Sequence, residues 1–183
     1  MTGEKIIQPK PTDWNFRIRS ICNFCKNYNN ATVLKTGTPE SVVINSRLSK
    51  IALFLHSDLD SEKFDYSFSK GSGKVPKAPW VAINTKGRRV SNSISFVICF
   101  SRTGEGIVLG LMTPASLKTE FATVERTKIE GSILIDYKEK DKYEDRFINP
   151  LELKFEDISI DRIQVHKLES CAFLLKNHAN SLI

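Results

Sequence analysis

An α+β fold is the class this sequence predicts: a mixed, largely antiparallel β-sheet with helices packed against it. Three observations lead there. Three short apolar runs, Trp80–Ile83, Ile94–Phe100 and Gly106–Met112, are rich in Val and Ile and bounded by Gly, Ser or Asn, as strands are. The connections between them, Thr85–Ser93 and Ser101–Glu105, are short, which favours antiparallel neighbours. Apolar residues at helical spacing flank this block on both sides.

Taken in order, residues 1–13 carry two prolines and little apolar content, and read as a flexible N-terminal arm. Residues 14–183 then form a single domain, which suits a chain of 183 residues. Trp14–Tyr28 places Ile18, Ile21, Cys22 and Cys25 at roughly helical spacing, so a short helix is expected. Asn27–Pro39, rich in Asn, Thr and Gly, reads as loop. Leu48, Ile51, Ala52, Leu55 and Leu59 mark one face of a helix starting near Ser46, with Asn45 or Ser46 as its cap. Phe64, Tyr66 and Phe68 alternate with Asp65 and Ser67, the period of a half-buried strand. After the three strands, Ser116–Ile129 reads as a helix over the sheet and Ser132–Tyr137 as a strand. Residues 138–146, KEKDKYEDR, form a solvated loop. Ile158–Val165 is consistent with a strand or a helix start, and Lys167–Asn177 with a helix.

The chain is 40% hydrophobic and 26% charged, ordinary for a folded globular protein. Its net charge of +6 favours a polyanionic partner, since basic surfaces concentrate phosphate-bearing ligands. There is no membrane-length apolar run and no apolar signal core at the N-terminus, so a cytoplasmic location is expected. The four cysteines are too few for a disulfide framework. Cys22 and Cys25 resemble half of a zinc site, but no second pair or matching His pair completes it. Reduced, partly buried thiols are expected, with no metal and no cofactor.

The densest cluster of unusual residues lies between Phe64 and Met112. Lys70–Lys74, KGSGK, invites comparison with a nucleotide-binding P-loop and fails it. The first glycine of that motif falls on Phe68, Val75 stands where Ser or Thr is required, and no helix follows. A better use is contact with nucleic acid. Gly71 and Gly73 let the main chain come close, with Ser72 between them, while Lys70, Lys74 and Lys77 meet phosphates. The basic turn of Lys86, Arg88 and Arg89 offers a second contact. Trp80 opens an apolar strand beside this loop, where a flat aromatic surface suits stacking by a flipped base. A different chemistry is carried by Asp136 with Glu152-Leu153-Lys154: an Asp plus Glu-x-Lys set holds a divalent metal and positions a water, as in metal-dependent nucleases.

Gly71-Ser72-Gly73, Pro79-Trp80-Val81-Ala82-Ile83, Ser91-Asn92, the apolar run to Phe100 and Gly106–Gly110 resemble, in order and spacing, the N-terminal DNA-binding domain of the McrB family of modification-dependent restriction proteins. The similarity covers about a quarter of the chain. It implies a non-enzymatic reading head that binds double-stranded DNA, flips a modified cytosine into a pocket, and works in phage defence with a GTP-hydrolysing motor domain and a nuclease subunit. The base pocket would comprise Trp80, Ser95 and Cys99. Where the family's methylcytosine readers carry an aromatic in the glycine loop, this chain has Ser72. Where they carry an aromatic and an aliphatic residue on the strand after the turn, it has Ser95 and Cys99. The inferred pocket is smaller-walled and more polar. A bulkier modified base, another base altogether, or binding through phosphates alone all stay open, as do a metal-dependent nuclease and an RNA-binding or interaction module.

Overall fold

The computed structural model describes residues 11–28, 34–71, 73–76, 78–113 and 147–180. Among them, five strands form one fully antiparallel sheet in the order β1-β2-β3-β4-β5. The strands are β1 (Phe64–Phe68), β2 (Trp80–Thr85), β3 (Ser95–Phe100), β4 (Gly106–Met112) and β5 (Phe147–Lys154). Helices α1 (Pro11–Tyr28), α2 (Pro39–His56) and α3 (Ile160–Asn180) pack against one face of the sheet. The α+β expectation holds.

α1 buries Trp14, Ile18, Ile21, Cys22, Cys25 and Tyr28, an i, i+4, i+7 stripe. It starts at Pro11, inside the segment expected to be a loose arm; the rest of that arm, residues 1–10, lies outside the described residues. α2 begins seven residues before the expected Ser46. Thr38 is its N-cap: the Ser41 N–H donates to the Thr38 hydroxyl at 3.3 Å, and Pro39 occupies the first turn, where its missing N–H costs nothing. The early turns carry exposed Val42 and Val43, so the apolar stripe becomes regular only after Ile44, and this hid the helix start. From Ile160 onward α3 takes in both segments read separately, with Ile158 just before it. The Asn15 side chain, from α1, accepts from the Ile160 N–H at 2.7 Å and so caps α3 from outside.

The sheet alternates as strands must. Val81, Ile83, Phe96, Ile98, Phe100, Ile107, Leu109 and Leu153 face the helices. Ala82, Val97, Cys99, Val108 and Met112 face the opposite way and are also buried. β5 was not expected as a strand. Its alternation is broken where Leu109 pairs Leu151 but Leu111 pairs Ile148, so Gly110 opposes both Asn149 and Pro150. Such a bulge accommodates a proline, which has no N–H for the ladder. The expected helix at Ser116–Ile129, the strand at Ser132–Tyr137 and the loop at 138–146 lie outside the described residues.

Candidate nucleic-acid interface

The glycine loop joins β1 to β2 and is built on a closed base. Ser69 N–H donates to the Trp80 carbonyl at 2.9 Å, and Trp80 N–H donates to the Ser69 hydroxyl at 2.9 Å. Further out, the loop is stitched to the segment before α2: Val75 N–H donates to the Leu34 carbonyl at 3.0 Å, Thr36 N–H donates to the Gly73 carbonyl at 3.2 Å, and Lys35 bridges Lys74. Val75 is buried and anchors this arrangement in the core. Gly71 and Gly73 both hold positive φ, +75° and +73°. At Gly71 a Cβ would lie 2.1 Å from the Lys74 carbonyl oxygen, so the loop folds back on itself only because that position is glycine.

This bracing gathers three exposed lysines, Lys35, Lys70 and Lys74. The Lys70 ammonium sits 5.4 Å from the centre of the Phe68 ring. Lys35 was not among the expected contacts; it joins the loop through a bridge between segments nearly forty residues apart, which no local signal announces. Ser72 and Lys77, expected to contact DNA, lie outside the described residues.

Trp80, Ser95 and Cys99 do share one face of the sheet, the face turned away from the three helices. Trp80 and Cys99 are direct cross-strand neighbours. Trp80 is partly buried and packs on the cluster of Ala82, Val97, Cys99 and Val108. Ser95 stands four residues along β3 from Cys99, about 13 Å at strand rise. It is fully buried, and its hydroxyl donates to Asn84 Oδ1 at 2.8 Å, while Asn84 Nδ2 donates to the Ser67 hydroxyl at 2.9 Å. The Ser95 hydroxyl therefore belongs to a satisfied internal network rather than to a pocket wall shared with Trp80.

The basic turn is at the other end of β2. From Trp80 to Thr85 the strand advances about 17 Å, so Lys86, Arg88 and Arg89 do not join the glycine loop. Lys86 is engaged with Asp65 at 3.1 Å. The Asp65 carboxyl is held below its ordinary value, first by the Gly87 N–H that donates to it at 3.0 Å and, against an opposing effect of burial, by Lys86. Arg88 and Arg89 are exposed, with the turn closed by the Arg89 N–H donating to Asn92 Oδ1 at 3.0 Å.

At the same end of the sheet as Trp80, a cleft of about 440 Å³ opens between α1, the β3–β4 turn and the end of β5. It is lined by Asn23, Lys26, Thr103, Glu105, Phe155 and Glu156, with Gly104 and Lys154 completing the wall. Gly104, at φ +75°, lets the turn touch α1: a Cβ there would lie 2.3 Å from the Cys22 carbonyl oxygen. Arg19 fixes the far wall, donating to the carbonyls of Phe155 at 3.0 Å, Glu156 at 2.8 Å and Ile158 at 3.2 Å.

Glu152 and Lys154 of the alternative nuclease set sit two apart on β5, while Asp136 lies outside the described residues. Among the described residues no group of three or more His, Cys, Asp or Glu is placed to hold a metal. None of the four cysteines forms a disulfide, and all four are buried. Burial pushes the Cys22 thiol up to about 12, and Cys25 is raised for the same reason. These are protonated core thiols, more deeply buried than the sequence suggested. Among the described residues no helix is long and apolar enough to cross a membrane. No protein-family model, curated protein or solved structure matches the chain.

Proposed function

We propose that this chain is a DNA-binding module that grips the duplex backbone through its glycine loop and reads a base beside Trp80. The observation that carries the reading is the braced loop. Two positive-φ glycines, tied to the Lys35 segment, hold the exposed Lys35, Lys70 and Lys74 next to a partly buried tryptophan at the start of a strand. The open backbone at Gly73, where nothing lies within 4 Å of a Cβ position, admits a phosphate closely, and lysines carried on the braced main chain lie beside it. The net charge of +6 favours the same partner.

The finer reading is a non-catalytic reading head of a modification-dependent restriction system, acting in the cytoplasm beside a GTP-hydrolysing motor domain and a nuclease subunit. With the Ser95 hydroxyl committed to Asn84, the base would be met by Trp80 and the neighbouring loop. Arg88 and Arg89, a strand-length away, suit a second stretch of backbone on the same duplex.

Fluorescence anisotropy with labelled duplexes that differ only in cytosine or adenine modification tests this across a salt series. Each lysine that neutralises a phosphate contributes close to one unit of salt slope, so the combined Lys35→Gln, Lys70→Gln, Lys74→Gln protein should lose about two to three units. Wild-type protein that shows no salt-dependent binding to any duplex overturns the proposal.

A further inference from the structure

We infer that the cleft between α1, the β3–β4 turn and the end of β5 is a nucleotide subsite, distinct from the Trp80 face, that prefers an amino-bearing base. The inference rests on the DNA-binding reading for its context and on the cleft for its chemistry. At about 440 Å³ the cleft lies within the roughly 300–1,000 Å³ range of small-ligand sites. Its lining divides into the two recognitions a nucleotide needs. Lys26 and Lys154 bring positive charge for a phosphate. Glu105 and Glu156 bring acceptors, which suit the exocyclic amino group of cytosine, adenine or guanine, whereas thymine offers a carboxylate only its ring N3–H. Asn23 and Thr103 add groups that both donate and accept.

The walls are preorganised. Arg19 holds the carbonyls of Phe155, Glu156 and Ile158 around the Phe155 turn, and its guanidinium lies 5.8 Å from the centre of the Phe155 ring. Gly104 presses the opposite wall onto α1. The position also fits the proposed grip. The Phe100 N–H donates to the Pro79 carbonyl at 2.9 Å, which ties the start of the β3–β4 turn to the end of the glycine loop. From β2 to β5 is three strand spacings, about 14 Å, or roughly four base-pair rises along a bound strand. A nucleic-acid strand held at the glycine loop therefore reaches the cleft within a few nucleotides.

The test is a nuclear magnetic resonance titration of the isotopically labelled chain with dCMP, with dTMP and with a short duplex. Binding of dCMP is expected to shift the backbone amides of Thr103, Gly104, Glu105 and Phe155, with dTMP about tenfold weaker. Lys154→Gln should weaken dCMP about tenfold, and Glu156→Gln should narrow the preference over dTMP, both with spectra unchanged outside the cleft. Equal shifts with dCMP and dTMP, or no shifts at these amides, overturn the subsite. A duplex that binds while the cleft amides stay still overturns the subsite and leaves the DNA-binding reading standing. A duplex that fails to bind while dCMP fills the cleft overturns the DNA-binding reading and supports the subsite.

Discussion

Trp80 and Cys99 face each other across β2 and β3, on the face of the sheet turned away from α1, α2 and α3. The tryptophan thus closes one end of an apolar cluster while part of its surface stays accessible beside the glycine loop. Packing and recognition are separable there by size. Trp80→Phe should cost about 1 kcal/mol in urea unfolding and Trp80→Ala about 3 kcal/mol, because truncation leaves a cavity against Val97 and Cys99. If Trp80 stacks on a base, the Phe variant folds normally yet discriminates less between modified and unmodified duplexes. Unchanged discrimination in that variant would confine Trp80 to packing.

Gly71 and Gly73 have nearly the same φ but different surroundings. Nothing lies within 4 Å of a Cβ at Gly73, whereas at Gly71 it meets the Lys74 carbonyl at 2.1 Å. Gly73→Ala should cost about 1 kcal/mol, from backbone strain alone. Gly71→Ala should cost more and should loosen the Lys35–Lys74 bridge, visible as faster amide exchange at Val75. Equal thermal stability of the two variants would contradict this difference.

Lys167 is wholly buried and donates to the Leu55 carbonyl at 3.0 Å and to Asp58 Oδ1 at 2.5 Å. It closes the C-terminal end of α2, where a positive charge is favourable. Asp58 is half exposed, so the pair is asymmetric: 0% against 47% side-chain exposure. Removing the aspartate strands an ammonium in the core, while removing the lysine leaves a carboxylate that water can reach. Asp58→Ala should therefore destabilise by about 3 kcal/mol and Lys167→Met by less. Chemical unfolding of the two variants, with the reverse ranking, would refute the assignment.

The buried thiols make stability fall at alkaline pH. Cys22 and Cys171 are raised from 9.0 to about 12, chiefly by burial. As pH rises the unfolded chain releases these protons first, so their stabilisation is whole below pH 9 and is lost between about 9 and 12. The decline should be roughly 1 kcal/mol per thiol for each pH unit above 9. Cys22→Ala and Cys171→Ala should each flatten the curve of thermal midpoint against pH. At neutral pH a thiol reagent should label the native chain only as it unfolds.

Local chemistry was legible. β1 and β4 stand where alternation and apolar runs put them, and β2 and β3 differ only at their ends. Thr38-Pro39-Glu40 was a readable helix start: a capping hydroxyl, a proline in the first turn and an early acid. Val42 and Val43 face solvent and blur the apolar stripe that would mark that start. β5 was obscured differently. Pro150 and the bulge break its period, and Glu152-Leu153-Lys154 has the pattern of a metal-binding triplet as well as of a strand end.

Periodicity and spacing along the chain are enough for the α+β class, the central strands and the glycine loop. Each depends on periodicity or spacing within a few residues, which the backbone enforces locally. Long-range packing settles the rest: Trp80 and Cys99 meet across two strands, Lys35 joins the loop, Lys86 pairs with Asp65, the Ser95 hydroxyl is satisfied by Asn84, and Asn23, Gly104 and Phe155 enclose a cleft. Most of these pairings join residues far apart in the chain, and the Ser95–Asn84 bond depends on strand register. They are set by how three helices and a bulged sheet bury their apolar faces together, so no local reading of the chain contains them.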